Sequence, residues 1–277
     1  VGRCGSVAFL KAGDTTRVSV WAKDKLGSVS TDTVKIYRPD PRSPYLSDIQ
    51  KAQRGDSVVP LTDFVLPNIR FGRFEVTADL YAKVMQSART TEAAGLPMTG
   101  VNIYDAMLFC NAISKAAGLD TFYTYTARDA GSGYLADYSV RSDTVDPSAI
   151  TKTIRRGYRL PTADEWNAVA TSWSPVHPWG TSEDSLVVSQ YAVGKWSSTK
   201  PVGSLQPTGS GLFDLAGNVS EWVATDWGFA DARTPWLVKG GAFSDAQFKP
   251  LSSDQTTSYG TTRSVSIGFR IVKVGDK

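Results

Sequence analysis

The segment GLFDLAGNVSEW, from Gly211 to Trp222, constrains the fold more than any other part of this sequence. It places two carboxylates, an amide, an indole and two glycines within twelve residues. Glycine and asparagine adopt turn conformations that other residues avoid, and tryptophan supplies a large apolar surface to bury. The segment therefore predicts a tight, loop-built corner of a core, whose carboxylates either hold a cation or pair with basic groups.

The scarcity of histidine and cysteine excludes several kinds of active site. The chain has one histidine, His177, and two cysteines, Cys4 and Cys110. Multi-histidine iron sites, Cys/His zinc sites and dithiol redox pairs all need more ligands or thiols than these. No GxSxG motif is present, and a serine triad would have to recruit His177 from SPVHPWG, where we expect a packed loop histidine. The formal net charge is +3 with dispersed basic residues, so we expect no nucleic-acid partner.

The first 44 residues differ in pattern from the remainder of the chain. TRVSVWAKDKLGSVSTDTVKIYRPD alternates apolar and polar residues on both sides of a KDKLGS turn, which predicts a β-hairpin. The hairpin resembles the end of an immunoglobulin-like module, and PDPRSPY predicts an extended linker. We therefore divide the chain into residues 1–44, a β-hairpin or partial immunoglobulin-like segment with its linker, and residues 45–277, the main domain.

Helix-start signals place three helices in the main domain. Thr77 is a predicted N-cap for ADLYAKVM, and Gly118 fits the position after the helix in VNIYDAMLFCNAISKAAG. Thr162 and Glu165 form a T-x-x-E capping box after Pro161. The remainder is rich in Gly, Ser, Thr and Trp, with short strand-like runs such as WLVKGG and GFRIVKV. These signals predict an α+β domain with few helices and much irregular chain.

The motifs of this domain resemble those of the formylglycine-generating enzyme family, also called the sulfatase-modifying factor family. RFEVTADLYAKVM, GVNIYDAMLFCNAIS, GYRLPTADEWNAVA, GLFDLAGNVSEWV, VKGGAF and IGFRIV occur in the order of that family, from about Leu66 to Val274. The resemblance implies a variant C-type lectin fold, with two to three helices, small twisted antiparallel sheets and much loop.

The chemistry of the family does not transfer to this chain. Its enzymes carry a cysteine pair shortly after the GG of the motif matched by VKGGAF, at positions that here fall at or near Asp245 and Pro250. Neither residue forms a thiolate or binds copper, so we expect no copper and no catalytic residue. The iron-dependent branch of the family needs three histidines, which the chain does not have. Cys110 matches a helix cysteine whose family partner is replaced by Ile271, and we expect a buried free thiol.

The resemblance also implies a calcium site in the opening segment. The matching loop of the family holds calcium through two side-chain oxygens and intervening carbonyls. The ligands that correspond to these in the present sequence are Asp214 and Glu221, with the carbonyls of Leu215, Gly217 and Val219. The alternative is that the carboxylates of Asp214 and Glu221 cap local amides or pair with Arg159 or Arg270.

A second resemblance concerns the loops between Val223 and Ser266, which are rich in Ser, Thr, Asp and aromatic residues. Variable proteins of diversity-generating retroelements use a similar lectin-like domain and end in a hypervariable segment that closes with a GFR-like string. We therefore expect a non-catalytic receptor or adhesin that binds a protein or glycan. Within these loops we expect Phe243 in the core and Tyr259 exposed. The expected ligand-binding residues are Trp227, Phe229, Asp231, Ser244, Asp245, Phe248, Ser253, Tyr259 and Arg263.

Two other functions remain open. One is an enzyme with divergent chemistry, for which perturbed carboxylates beside His177 would be the sign. The other is an assembly subunit of an envelope machine, as some lipoproteins of the family are. The architecture predicts a monomer outside the cytoplasm, at a bacterial surface, in the periplasm or on a phage particle. Membrane attachment would require a lipid anchor, for which Cys4 qualifies only if the mature chain begins there.

Overall fold

The protein is described by a computed structural model. It describes residues 15–23, 29–37, 61–66, 69–86, 95–125, 151–152, 156–172, 177, 179, 181, 184–194, 197–224, 235–245 and 254–275. The chain divides into two compact units, Val1–Pro44 and Tyr45–Lys277. None of the helices in these ranges has the length and apolar character that crossing a bilayer requires.

The first unit contains the predicted hairpin. Strand β1 (Thr15–Lys23) pairs antiparallel with β2 (Val29–Tyr37) over nine residues each. Thr15 lies opposite Tyr37 and Lys23 lies opposite Val29, so the register is regular from end to end. The alternating pattern of the sequence is confirmed as a hairpin, because a repeat of two residues matches the pleat of a strand.

One sheet of the second unit pairs a strand near the start of that unit with a strand near its end. Its strand order is β3-β4-β12-β7, and β12 lies antiparallel between β4 and β7. The last strand of the chain therefore closes against one of the first strands of this unit. The bounds are β3 Leu61–Leu66, β4 Ile69–Gly72, β7 Gly157–Arg159 and β12 Val272–Val274.

The second sheet of this unit carries the features discussed below. Its order is β10-β9-β8-β11, with β8 antiparallel to β9 and parallel to β11. The strands are β8 Ser220–Trp222, β9 Pro235–Lys239, β10 Gln255–Tyr259 and β11 Ile267–Gly268. A separate short pair joins β5 (Tyr123–Thr124) to β6 (Thr151–Lys152).

The helices begin where the capping residues predict. The Thr77 side chain accepts a hydrogen bond from the Leu80 amide, and Thr162 and Glu165 form the expected reciprocal capping box. Gly118 follows the longest described helix with a φ of 66°, the left-handed conformation that favours glycine. The described helices are α1 Ala78–Met85, α2 Ile103–Ala116, α3 Ala163–Ala170 and the short α4 Ser185–Val188.

Helix α2 runs through the interior, and nearly all of its residues are buried. The Phe109 ring stacks on Tyr81 at 5.4 Å and meets the edge of Phe269 at the same centroid distance. The neighbouring Cys110 is a buried free thiol whose pKa is raised by burial, as expected for a cysteine that packs as a small hydrophobe. Helix and sheets together confirm the α+β class.

The expectation that Phe243 lies in the core is wrong. The Phe243 side chain is only partly buried and belongs to neither hydrophobic cluster of the described residues. The chain turns sharply here, because Asp245 N–H donates to the Ala242 carbonyl and Phe243 N–H donates to the Asn218 carbonyl. The turn fixes the backbone of Phe243 without enclosing its ring.

Candidate functional site

A two-glycine turn at the end of β9 organises the site. Gly240 and Gly241 have φ angles of 91° and 74°, which side chains other than glycine rarely adopt. A Cβ on Gly241 would lie 2.9 Å from Asp245 Oδ2 and 3.0 Å from Asp254 Oδ2. The absence of a side chain at Gly241 therefore lets two carboxylates approach the same stretch of backbone.

A cavity of about 390 Å³ opens beside this turn. Asp245 and Asp254 line it, and the Asp245 carboxylate accepts a hydrogen bond of 2.9 Å from the Ala242 amide. Asp254 is more than nine-tenths buried, whereas Asp245 is half-buried. The cavity wall also includes four hydroxyl side chains and two aliphatic side chains: Ser220, Ser244, Thr256, Ser266, Val238 and Ile267.

The strand register explains why these side chains converge. Thr256 lies opposite Val238 across β10 and β9, and Ser220 lies opposite Ile267 across β8 and β11. Because paired residues point to the same face of a sheet, all four belong to the face that forms the cavity wall. Glu221 follows Ser220 and Lys239 follows Val238, so these two side chains point to the opposite face of the sheet.

That opposite face carries a polar row across three strands. Gln255 pairs with Lys239, and Lys239 pairs with Glu221. The fully buried Lys239 ammonium donates to Gln255 Oε1 at 3.3 Å and lies 5.4 Å from the centre of the Trp166 ring. Burial lowers the pKa of Lys239, and the nearby Asp254 carboxylate opposes this change. A cation therefore lies behind the wall of the cavity.

Glu221 is held by a buried arginine. Arg270 Nε donates to Glu221 Oε1 and Oε2 at 2.9 and 2.7 Å, and Nη2 donates to Oε1 at 2.5 Å. Trp166 Nε1 adds a bond of 2.7 Å to Oε2. Arg270 also donates to the Phe213 carbonyl at 2.9 Å. Both partners are fully buried, and paired charges of this geometry satisfy each other where water cannot.

Two further carboxylates share this environment. Glu75 accepts hydrogen bonds from Asn218 Nδ2 at 2.6 Å and from the Val219 amide at 3.1 Å. Asp214 accepts one from the Gly203 amide at 2.7 Å. Burial raises the pKa of Glu75 well above its usual range, with Asp214 contributing, and burial raises the pKa of Asp214 to about 6.

The predicted calcium ligands Asp214 and Glu221 thus lie in a network around Arg270. Glu221 pairs with Arg270 and Trp166, and Asp214 accepts from the Gly203 amide, so each carboxylate has a partner of a kind that the sequence left open beside calcium. Within the described ranges, no group of three or more His, Cys, Asp or Glu side chains is placed to hold a metal ion. Calcium binding through this segment stays a prediction. The carbonyls of Leu215, Gly217 and Val219 were the other expected ligands.

The expected ligand-binding residues divide into three groups. Ser244 and Asp245 line the cavity, and Tyr259 is 60% exposed on β10, as predicted for that residue. Arg263 is anchored by an ion pair with Asp105. The remaining expected residues lie outside the described ranges: Trp227, Phe229, Asp231, Phe248 and Ser253.

The sequence did not identify Ser220, Asp254, Thr256 or Ser266 as site residues. Alternation within β8 and β10 was the available signal, since it predicts which side chains share a face. It could not say which strands would be neighbours. The perturbed carboxylates cluster around Arg270, whereas His177 stacks on Trp179 at 4.6 Å.

Comparison with known families and proteins gives a consistent result. The model of the sulfatase-modifying factor enzyme 1-like domain matches residues 45–274. The chaperone protein LppX from Paenibacillus barcinonensis is 28% identical over 217 residues, covering 70% of this chain and 74% of LppX. The inactive C-alpha-formylglycine-generating enzyme 2 from Bos taurus is 30% identical over 132 residues, covering 42% of this chain and 44% of that protein.

Solved structures show the same fold. Treponema denticola variable protein 1 superposes with a TM-score of 0.61 and 22% identity, covering 78% of this chain and 91% of that protein. The crystal structure of CarF superposes with a TM-score of 0.59 and 22% identity, covering 75% of this chain and 87% of CarF. These likenesses confirm the fold that the sequence motifs predict.

Proposed function

Since the chain belongs to the sulfatase-modifying factor enzyme 1-like family, we propose that it is a non-catalytic member that binds a ligand in the cavity beside Gly241. The protein would then have the fold of the family with a different function, since one fold can host unrelated functions. The ligand is a protein or a glycan.

One observation carries the proposal. Asp245, at or near which the resemblance to the enzymes of this family implies a catalytic cysteine, lines the cavity. A carboxylate cannot exchange a disulfide or undergo the oxidation steps of a thiol. The cavity presents hydroxyl and carboxylate groups that suit recognition by hydrogen bonds. A cavity lined by carboxylates and hydroxyls, with no cysteine among its described lining residues, is better suited to binding than to thiol oxidation.

The relatives support a non-enzymatic role. One is named a chaperone and another an inactive enzyme, so membership of this family does not require catalysis. The likeness to Treponema denticola variable protein 1 supports a further part of the proposal. In this part, the loops of the present chain differ between isolates because a retroelement diversifies them. Sequencing the same locus from several isolates tests this part, and substitutions concentrated between residues 223 and 266 are the expected result.

Location and calcium are further parts of the proposal. The family architecture and the bacterial relative favour a place outside the cytoplasm, at a cell surface, in the periplasm or on a phage particle. The proposed calcium ligands are Asp214 and Glu221 with the carbonyls of Leu215, Gly217 and Val219. Thermal unfolding with and without added calcium tests this, because an ion that binds only the folded state raises the Tm.

Two assays test the central proposal. Incubation with a cysteine-containing sulfatase peptide, copper and oxygen should yield no formylglycine, and measurable product would refute the non-catalytic assignment. Selection from a displayed peptide library and a glycan array should yield ligands that no longer bind after Ser244→Trp, which fills the mouth of the cavity. Thr257→Trp is the matched control, because Thr257 is exposed on β10 and does not line the cavity. Selected ligands that bind both variants equally would place the site elsewhere.

A further inference from the structure

We infer that the outer edge of β10 binds an extended segment of a protein ligand as an additional strand, with one side chain of that segment directed to the cavity beside Gly241. The inference rests on the proposed function, because it assigns the class of ligand to the same site. It selects a protein rather than a glycan, since only a peptide backbone can extend a β-sheet.

The pairing of β10 with β9 fixes the direction of its backbone groups. The Gly240 amide donates to the Asp254 carbonyl at 3.3 Å, directly before the first paired residue of β10. Hydrogen-bonded and non-hydrogen-bonded pairs alternate along antiparallel strands, so the next hydrogen-bonded pair is Thr256 with Val238. The N–H and C=O groups of Thr256 and Ser258 therefore point to β9.

The remaining residues of β10, which are Gln255, Thr257 and Tyr259, direct their backbone groups to the outer edge. β10 is the last strand in the order of its sheet. The Tyr259 carbonyl accepts a hydrogen bond from the Thr262 amide, which leaves the three N–H groups and the other two C=O groups along this edge. Within the described ranges, none of these five groups has a backbone hydrogen bond. Four of the five residues of β10 are exposed, so a further strand has access to them.

The composition of β10 suits the addition of a strand. Its sequence, QTTSY, contains threonine and tyrosine, which favour strands, and has no charged side chain and no proline. Its register with β9 is continuous, without a bulge. Charges, prolines and bulges are the usual features that prevent an edge strand from pairing with another chain. Because β10 has none of these features, its edge is able to form hydrogen bonds with a second backbone.

The cavity lies on one face of this edge. Thr256 of β10 lines the cavity, and Val238 and Ile267 continue its wall across the sheet. Side chains that lie opposite each other on adjacent strands point to the same face, so a ligand residue opposite Thr256 would direct its side chain along the cavity. Peptides that extend a sheet gain affinity from main-chain hydrogen bonds and specificity from pockets for alternate side chains. The edge of β10 and the cavity supply these two parts.

A second copy of this chain fits the edge less well than a different protein. In the symmetric antiparallel pairing centred on Thr257, Ser258 of the second copy would lie opposite Thr256. The serine side chain is too short to occupy a cavity of about 390 Å³. A ligand segment with a longer side chain at this position would fill more of the cavity.

The test uses a series of capped heptapeptides, Lys-Thr-Val-Xaa-Val-Thr-Lys, in which Xaa is leucine, glutamine, tyrosine, lysine or glutamate. The β-branched residues favour an extended backbone, and the end lysines oppose self-association. Binding is followed by NMR through the amide signals of Gln255, Thr257 and Tyr259. We expect millimolar binding by at least one peptide, with slower hydrogen exchange of the Thr257 amide in the complex. No binding by any member at millimolar concentration would overturn the inference.

N-methylation of the peptide that binds most tightly distinguishes strand addition from binding in the cavity alone. A strand presents the N–H groups of alternate residues to one neighbour. Methylation of the alternate set that faces β10 should weaken binding by about tenfold or more, whereas methylation of the other set should have little effect. Equal effects of the two sets would overturn the inference. Both measurements use the wild-type protein, so they do not depend on the folding of a variant.

Substitution of Thr257 tests the edge from the side of the protein. Thr257→Pro removes the outward N–H group and keeps the hydrogen bonds to β9, because an edge strand tolerates proline where its N–H faces away from the sheet. We expect about tenfold weaker binding of the peptide. Thr257→Val is the matched control, since it keeps the N–H group and a β-branched side chain that points to a face of the sheet. Loss of binding in both variants, or in neither, would contradict strand addition.

Two other results would overturn the inference and leave the proposed function standing. The first is a selected peptide or glycan that Ser244→Trp no longer binds but that wild type and Thr257→Pro bind equally. The second is a dimer in analytical ultracentrifugation that Thr257→Pro dissociates, because the edge would then belong to a second copy. Failure of every peptide and glycan to bind at either the edge or the cavity would contradict the proposed function itself.

Discussion

Asp214→Asn should stabilise the protein at neutral pH and stabilise it much less in mild acid. Asp214 is buried, and its pKa is raised from 3.8 to about 6, chiefly by burial. The folded state therefore keeps the Asp214 proton over a range of pH in which the unfolded chain has lost it. Stability falls as the pH rises through this range, because the folded state then binds more protons than the unfolded state.

The magnitude follows from the same values. Each pKa unit corresponds to about 1.4 kcal/mol, so ionisation of Asp214 costs the folded state about 3 kcal/mol by pH 7 and above. Asparagine resembles the protonated acid in shape, carries no proton to lose and can still accept from the Gly203 amide. It also tolerates the left-handed backbone of this residue, whose φ is 59°. We expect the advantage of the variant to grow from about 0.5 kcal/mol at pH 4 and about 1 kcal/mol at pH 4.5 to about 3 kcal/mol at neutral pH.

The assay is urea unfolding of three proteins at about pH 4.5 and 7.5. Asp214→Ala is the comparison, because it removes the acceptor of the buried Gly203 amide and should be less stable than Asp214→Asn by about 1–3 kcal/mol at both pH values. Removing the Asp214 charge also relieves Glu75, whose pKa that charge helps to raise, so the two effects act in one direction. An equal difference between wild type and Asp214→Asn at both pH values would refute the reasoning.

Three further substitutions test the core and the loops. Arg270→Met should cost about 3–5 kcal/mol in chemical denaturation, because it leaves the buried Glu221 charge without its bidentate partner; a loss below about 1 kcal/mol would contradict the network. Phe109→Ala should cost about 3–5 kcal/mol, since its ring is fully buried. Tyr259→Ala should stay within about 0.5 kcal/mol of wild type, because this ring is exposed, and a melting temperature shifted as far as that of Phe109→Ala would place it in the core.

The helix starts and the burial of Cys110 could be predicted from local sequence. The caps at Thr77 and at Thr162 with Glu165 involve residues three positions apart, so their spacing alone specifies the contact. Burial of Cys110 followed from the apolar pattern of one helix. Each of these conclusions needs one segment of chain and no knowledge of its neighbours.

The charged network and the cavity were decided by tertiary structure. Glu75 bonds Asn218 from 143 positions away, and Arg270 reaches Glu221 across 49. The sequence allowed Glu221 either a calcium ion or a basic partner, and its contact with Arg270 depends on packing that no local pattern predicts. Which side chains line the cavity depends on the register between strands of one sheet.

Sequence by itself determined the hairpin, the helix starts and the α+β class, because these depend largely on patterns and contacts within a few residues. Tertiary structure alone brought Asp254 beside Gly241 and placed Lys239 behind the cavity wall. The residue pattern of a strand predicts which side chains share a face, but it does not predict which strand will be its neighbour in the sheet. The pairing of strands depends on how the whole core is buried, because the stability of each pair depends on the packing of the other segments.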